Sequence, residues 1–124
     1  MRLLEEIISV SPGRAVGRRL AKHEDFYFQG HFPEDPVVPA VVLIEMVAQA
    51  GGLAVGAPSA GARRTLQLRV AAIGSFKFPA AARPGALLEA SAQVVGKLGG
   101  LYKIDGVVTA DGIVVATGSL TLAG

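Results

Sequence analysis

The spacing of apolar residues changes character partway along this chain. Over residues 40–55 almost every position is apolar: Val41, Val42, Leu43, Ile44, Met46, Val47, Ala48, Ala50 and Leu53. The length of the run, with Pro39 at a first-turn position, predicts a helix. Gly51-Gly52 is placed to fray or kink its last turn. A helix without a polar face must be covered on most sides. Residues 65–78, 87–97, 100–110 and 113–122 are instead long runs rich in Val, Ile, Leu and Thr. Short turns at 82–85, 98–100 and 111–112 separate them, and Asp111-Gly112 is a strong hairpin signal. Four consecutive strands of an antiparallel sheet are predicted.

Ahead of the helix the pattern is less regular. Residues 3–10 fit a helix at Leu3, Leu4, Ile7 and Ile8, whereas Ile7, Ile8 and Val10 favour a strand. Ser11-Pro12-Gly13 marks a turn. Residues 15–21 and 25–29 read as short extended segments, the second rich in aromatics. Pro33, Pro36 and Pro39 make residues 31–39 a stiff, irregular loop. One long buried helix and one long antiparallel sheet have a natural α+β solution, in which the sheet curls around the helix. A second copy of the chain would cover the face left open.

A length of 124 residues is that of one domain, so a single domain over 1–124 is expected. The 51% hydrophobic content excludes a disordered chain. With no cysteine there is neither a disulfide nor a thiolate metal site, and a cytoplasmic location is compatible. A net charge of +2 is too weak to indicate nucleic-acid binding. The stretch 37–56 is interrupted by Pro39, Glu45 and Gln49, leaving a run far shorter than the ~20 residues a membrane span needs. The N-terminus makes a poor signal peptide, with Glu5 and Glu6 so early.

The chemistry centres on Glu45, an ionisable residue within the most apolar segment. Gln49 lies one turn further on the same helix face and can hold its carboxyl. A carboxyl kept dry holds its proton more tightly than one in water, which suits a general acid. His31, in the proline-stiffened loop, is a candidate general base. The free N–H groups of the helix start, near Ala40 and Val41, can receive a carbonyl oxygen that gains charge. Acid, base and oxyanion donor are the parts needed to abstract a proton beside a carbonyl and expel a hydroxyl. The plainer alternatives are that Glu45 pairs with an arginine such as Arg69, and that Gln49 only satisfies backbone groups. His23, in the polar run AKHED, reads as a solvated residue.

The segment FQGHFPEDPVVPAVVLIEMVAQ, with GHFP, a carboxylate fourteen residues after the histidine and Gln four later, resembles the active-site segment of the FabZ-type 3-hydroxyacyl-[acyl-carrier-protein] dehydratases. Residues 3–13, 72–85 (AIGSFKFPAAARPG) and 106–117 resemble other parts of the same family. The resemblance implies the hotdog fold, a first strand over 3–10, and two protomers whose sheets join edge to edge. It further implies that His31 of one subunit meets Glu45 of the other, and that the Ala40 amide binds the thioester carbonyl. The product would be a trans-2-enoyl thioester, formed without a metal or any other cofactor. Phe32, Val41 and Phe78 are the expected lining of the acyl tunnel. Arg63, Arg64, Lys77 and Arg83 are candidates to guide an acidic acyl carrier protein.

The partner is thus expected to be an acyl carrier protein or coenzyme A thioester, and the assembly a homodimer or a trimer of dimers. Glu34 and Ala40 stand where the family usually has glycine, and the helix and His-Arg segment that usually precede the first strand have no counterpart in the sequence. The alternatives are a hotdog thioesterase that uses Glu45 to activate water, and a non-catalytic acyl-binding subunit.

Overall fold

The computed structural model describes residues 2–28, 35–56 and 68–124. Its first element is a hairpin of β1 (Glu6–Ser11) and β2 (Arg14–Leu20). The reversal at Pro12 and Gly13 depends on glycine, since Gly13 has φ 82°. That turn is tied into the fold from both sides. The Gly13 N–H donates to the Ala54 carbonyl at 3.1 Å, and the Gly13 carbonyl accepts from Val94 at 2.8 Å.

The predicted extended segment at 25–29 is instead a short 3₁₀ turn over Phe26–Phe28. The reason is Asp25. Its carboxylate accepts the Lys22 N–H at 2.9 Å and its carbonyl accepts the Phe28 N–H at 3.1 Å, so the backbone coils locally rather than pairing in a sheet.

The helix α1 spans Ala40–Gly56. Gly51-Gly52 does not break it, because Gly51 is a contact point. A Cβ there would lie 3.1 Å from Ile104 and 3.3 Å from Leu122. Val42, Leu43, Met46, Val47, Ala50, Gly51 and Ala54 form the buried stripe, recurring at helical spacing.

Four further strands follow: β3 (Arg69–Lys77), β4 (Leu87–Leu98), β5 (Leu101–Ala110) and β6 (Ile113–Ala123). The six strands form one antiparallel sheet in the order β1-β2-β4-β5-β6-β3. The four strands expected between 65 and 122 all belong to this sheet, and β4, β5 and β6 pair in chain order. Strand β3 lies at the far edge beside β6, and the β1–β2 hairpin takes its place beside β4. The β5–β6 turn has φ 50° at Asp111 and φ 84° at Gly112, both in the left-handed region that a two-residue hairpin turn requires.

Alternation along the strands decides the core. Leu88, Ala90 and Ala92 on β4 and Ile104, Gly106 and Val108 on β5 face α1 and are buried. The inner positions beneath the middle of the helix are small, and this lets the helix lie close. A Cβ on Gly106 would occupy the space of the Val47 side chain. The abundance of alanine and glycine is a packing feature of this contact. The architecture is one helix held against a curved six-stranded sheet, as the α+β reading expects.

Candidate active site

The side chains of α1 divide between sheet and surroundings. The stripe from Val42 to Ala54 faces the sheet, and Ala48, outside it, is buried as well. Position 45 lies on the opposite side, one turn from Val41 and one from Gln49. Glu45 is therefore exposed in the single chain, so the dry carboxyl read from the sequence depends on what covers this face. Val41 is 71% exposed and Ile44 is half-buried, so the carboxylate sits on an apolar face left open by the fold.

Gln49 holds this carboxylate and also serves the backbone. Its Oε1 accepts the Leu3 N–H at 2.8 Å, and its Nε2 donates to Glu45 Oε1 at 3.4 Å. The first bond decides which way the amide points, so its NH₂ group is the one turned to Glu45. The buried Leu3 side chain fixes the donor in turn. Both sequence readings of Gln49 hold at once. The suggested pairing of Glu45 with Arg69 is not among the ion pairs of the described residues.

At the start of α1 the Pro39 carbonyl accepts Val42 N–H at 3.0 Å and Leu43 N–H at 3.3 Å. The N–H groups of Ala40 and Val41 precede the helical ladder and have no acceptor within it. They head the same face on which Glu45 lies. His31, Phe32, Glu34, Arg63 and Arg64 lie outside the described residues. Phe78 follows the end of β3 and stacks on Phe76 at 6.2 Å between ring centroids. Like Val41, it remains exposed in the single chain, so neither residue is enclosed as a tunnel lining by this chain alone.

Of the basic residues assigned to a carrier protein, Lys77 is exposed at the end of β3. Arg83 is engaged within the chain. Its Nε lies 3.1 Å from Asp35 Oδ1 and its Nη2 3.4 Å from Asp35 Oδ2. The guanidinium holds the Asp35 carboxyl below the usual carboxylate range. His23 is exposed, as expected.

A second polar cluster has no counterpart in the sequence reading. The Asp25 carboxylate accepts from Arg19 Nη2 at 2.9 Å, from the Lys22 N–H at 2.9 Å and from the Tyr27 hydroxyl at 2.7 Å. Arg19 Nε reaches the same hydroxyl at 3.3 Å, and the guanidinium lies over the Tyr27 ring at 5.7 Å. Asp25 is only 9% exposed, although it belongs to the polar run AKHED. Burial by itself pushes its carboxyl up. Hydrogen bonds from Tyr27, the Lys22 amide and Arg19 outweigh that and hold it below the ordinary value. Burial and the Asp25 hydrogen bond push the Tyr27 hydroxyl up to about 12. The available signal was an acid two residues before a tyrosine, just ahead of the histidine loop.

The sheet face away from α1 carries a groove of about 530 Å³, lined in part by Arg14, Ser91, Gln93, Asp105, Thr117 and Ser119. It contains none of the residues singled out in the sequence, and its hydroxyl and charged lining does not suit an acyl chain.

Comparison with known proteins bears on the same segment. A family model, the FabA-like domain, matches residues 1–119. The chain is similar to the 3-hydroxyacyl-[acyl-carrier-protein] dehydratase FabZ of Chloroflexus aggregans, with 36% identity over 94 residues, 74% of this chain and 63% of the relative. The FabZ of Ruminiclostridium cellulolyticum is 36% identical over 100 residues, 78% of this chain and 68% of the relative. The match with the first thus spans less than two thirds of that relative's length. Among solved structures, the dehydratase heterocomplex ApeI:P of Xenorhabdus doucetiae superposes with a TM-score of 0.73, 20% identity and full coverage of both chains. The PaaI protein of E. coli gives a TM-score of 0.74 at 21% identity, covering 96% of this chain and 82% of its own. At these identities the likeness is one of fold, and the fold is the hotdog.

Proposed function

We propose, from the premise that the chain belongs to the FabA-like domain family, that it removes water from 3-hydroxyacyl thioesters to give trans-2-enoyl thioesters. The observation that carries this reading is the placement of Glu45. It is a carboxylate oriented by Gln49 on an open apolar helix face, one turn past the amides of the helix start. The named activity of the FabZ relatives supports the same reaction, and with it an acyl carrier protein as the thioester's bearer.

His31 acts as base and takes the proton from C2 of the substrate. The C2–C3 double bond forms as the C3–O bond breaks. Glu45 gives its proton to the departing hydroxyl, which leaves as water. The Ala40 amide donates to the thioester carbonyl as charge develops there, in a site where such a donor is worth most when water is excluded. Return of the proton from His31 to Glu45 restores the starting state.

The acid is not dried by its own chain. We therefore assign the catalytic unit to a homodimer, in which His31 acts with Glu45 of the partner subunit. Two features support a covering copy. Val41 leaves a large apolar surface beside Glu45. Val70 and Ile73 on edge strand β3 lie opposite the buried Leu122 and Leu120 on β6, yet they remain exposed. Edge strands with apolar exposure are ready to pair with another chain. Phe32, Val41 and Phe78 would line the acyl passage formed between the copies. Arg63, Arg64 and Lys77 would draw in the acidic carrier protein in the cytoplasm, while Arg83 is held by Asp35.

The test is a spectrophotometric assay of the purified protein with 3-hydroxyacyl thioesters, carried on acyl carrier protein or on coenzyme A. Growth of enoyl absorbance is expected. Release of free thiol without enoyl product would point to hydrolysis and overturn the proposal. His31→Ala and Glu45→Ala homodimers should each lose activity, and mixing them should restore one intact site per heterodimer. Heterodimers that form and stay inactive would refute the shared site.

A further inference from the structure

The segment that carries His31 follows directly on the Arg19–Asp25–Tyr27 cluster, and the chain on both sides of residues 29–34 is tied down. Before it, Asp25 accepts three hydrogen bonds, the Phe28 N–H returns to the Asp25 carbonyl at 3.1 Å, and the Tyr27 ring packs on Phe28 at 4.8 Å. After it, Asp35 meets Arg83, and the Val38 N–H donates to the Ala82 carbonyl at 2.8 Å.

The two anchors are unequal. The Asp35–Arg83 pair is exposed and screened by solvent, so it restrains weakly. The Arg19–Asp25–Tyr27 cluster is largely buried, with side-chain exposures of 13% for Arg19 and 8% for Asp25. All three side chains satisfy one another, which makes the cluster rigid. Arg19 also ties it to the N-terminal segment, since Nη1 reaches the Leu3 carbonyl at 3.5 Å. The same Leu3 donates its N–H to Gln49, which holds Glu45. One short backbone stretch thus connects the support of the acid to the anchor ahead of the base.

We propose that Arg19, Asp25 and Tyr27 are positioning residues, which fix the chain at Phe28, three residues ahead of the base His31, for the dehydration. The proposal rests on the dehydratase reading above. The role is geometric, since the dehydration written above gives none of the three a chemical step. Small misplacements of a catalytic group weigh heavily on rate, so the loss belongs in kcat and not in substrate binding.

Tyr27→Phe removes the hydroxyl and keeps the ring on Phe28. It is expected to lower kcat about tenfold while KM changes less than about twofold, because orientation is lost and binding surface is kept. Asp25→Asn, which keeps an acceptor for the Lys22 amide, should do the same. Ile104→Val, a core change beneath Gly51 in the later part of α1, is the control for a general loss of stability, and should leave kcat unchanged.

A second readout does not depend on activity. In a His23→Gln background His31 is the sole histidine, and its ring resonances can be followed by NMR in isotope-labelled protein. Tyr27→Phe and Asp25→Asn should shift those resonances and their titration midpoint, and Ile104→Val should not. Unchanged His31 resonances with unchanged kcat would overturn the proposal, as would equal effects from Ile104→Val. If wild-type protein forms no enoyl product, the dehydratase reading fails, and the resonances alone then decide whether the cluster positions His31.

Discussion

Two polar groups are set into apolar surroundings in this chain, and they are completed in different ways. Asp25 is closed off by Arg19, Tyr27 and the Lys22 amide, all within six residues of it in sequence. Glu45 receives one long hydrogen bond from Gln49 and is otherwise open. A carboxylate that serves the fold must be satisfied in the folded chain, since a buried charge without partners is costly. A carboxylate that serves a reaction must be left with a free face. On the reading proposed above, the difference separates a group that holds structure from one offered to a substrate and a second subunit.

The largest effect that would break this comparison is on activity. Glu45→Gln should lower kcat/KM by about a hundredfold or more, the scale of a lost general acid. The same change should leave thermal unfolding within about 2 °C of wild type, since surface changes are usually worth under about 0.5 kcal/mol. A collapse of stability instead would place Glu45 among the structural groups.

The reverse pattern is expected at the other site. Asp25→Ala leaves the Arg19 guanidinium largely buried without its carboxylate, which should cost about 3 kcal/mol. Unfolding followed by circular dichroism should show a midpoint lower by roughly 10 °C.

The pH dependence of stability sharpens the contrast. The Asp25 carboxyl is held below its ordinary value of 3.8 in the folded state. Its contribution is present above that value and is lost as pH falls through the lower, folded one. Asp25→Asn should therefore flatten the acid limb of a plot of stability against pH. The Tyr27 hydroxyl is raised from 10.0 to about 12. Its contribution is present below pH 10 and is lost as pH climbs towards 12, so Tyr27→Phe should remove that alkaline loss.

The smallest effect is expected at Arg83. Its pair with Asp35 is exposed, so Arg83→Ala should leave the thermal midpoint unchanged within measurement. A rise in KM for a carrier-linked substrate, with none for a coenzyme A thioester, would restore Arg83 to the docking surface.

The legible parts of this chain were those whose cause is local. The helix over Ala40–Gly56 follows from a run of apolar residues after Pro39. The Asp111-Gly112 turn follows from two residues that tolerate positive φ, and the strand limits at β4, β5 and β6 lie within a residue or two of the pattern. The pairing of Gln49 with Glu45 follows from spacing of one turn. What was misread depends on distant parts of the chain. The 3₁₀ turn at Phe26–Phe28 looked extended because its aromatics favour strands, while the Asp25 hydrogen bonds that coil it were invisible in a polar run.

The sequence by itself determined the long helix, the last three strands and their periods, because these are set by neighbours within a few positions. Only the tertiary structure decided that β3 crosses to the far edge beside β6, that Gly106 makes room for Val47, and that Glu45 is turned away from the sheet. A helix apolar on nearly every side does not say which side the sheet will take. That choice falls to the close fit of Val47 and Gly51 against β5 and β6, and it leaves the carboxylate of Glu45 on the open face.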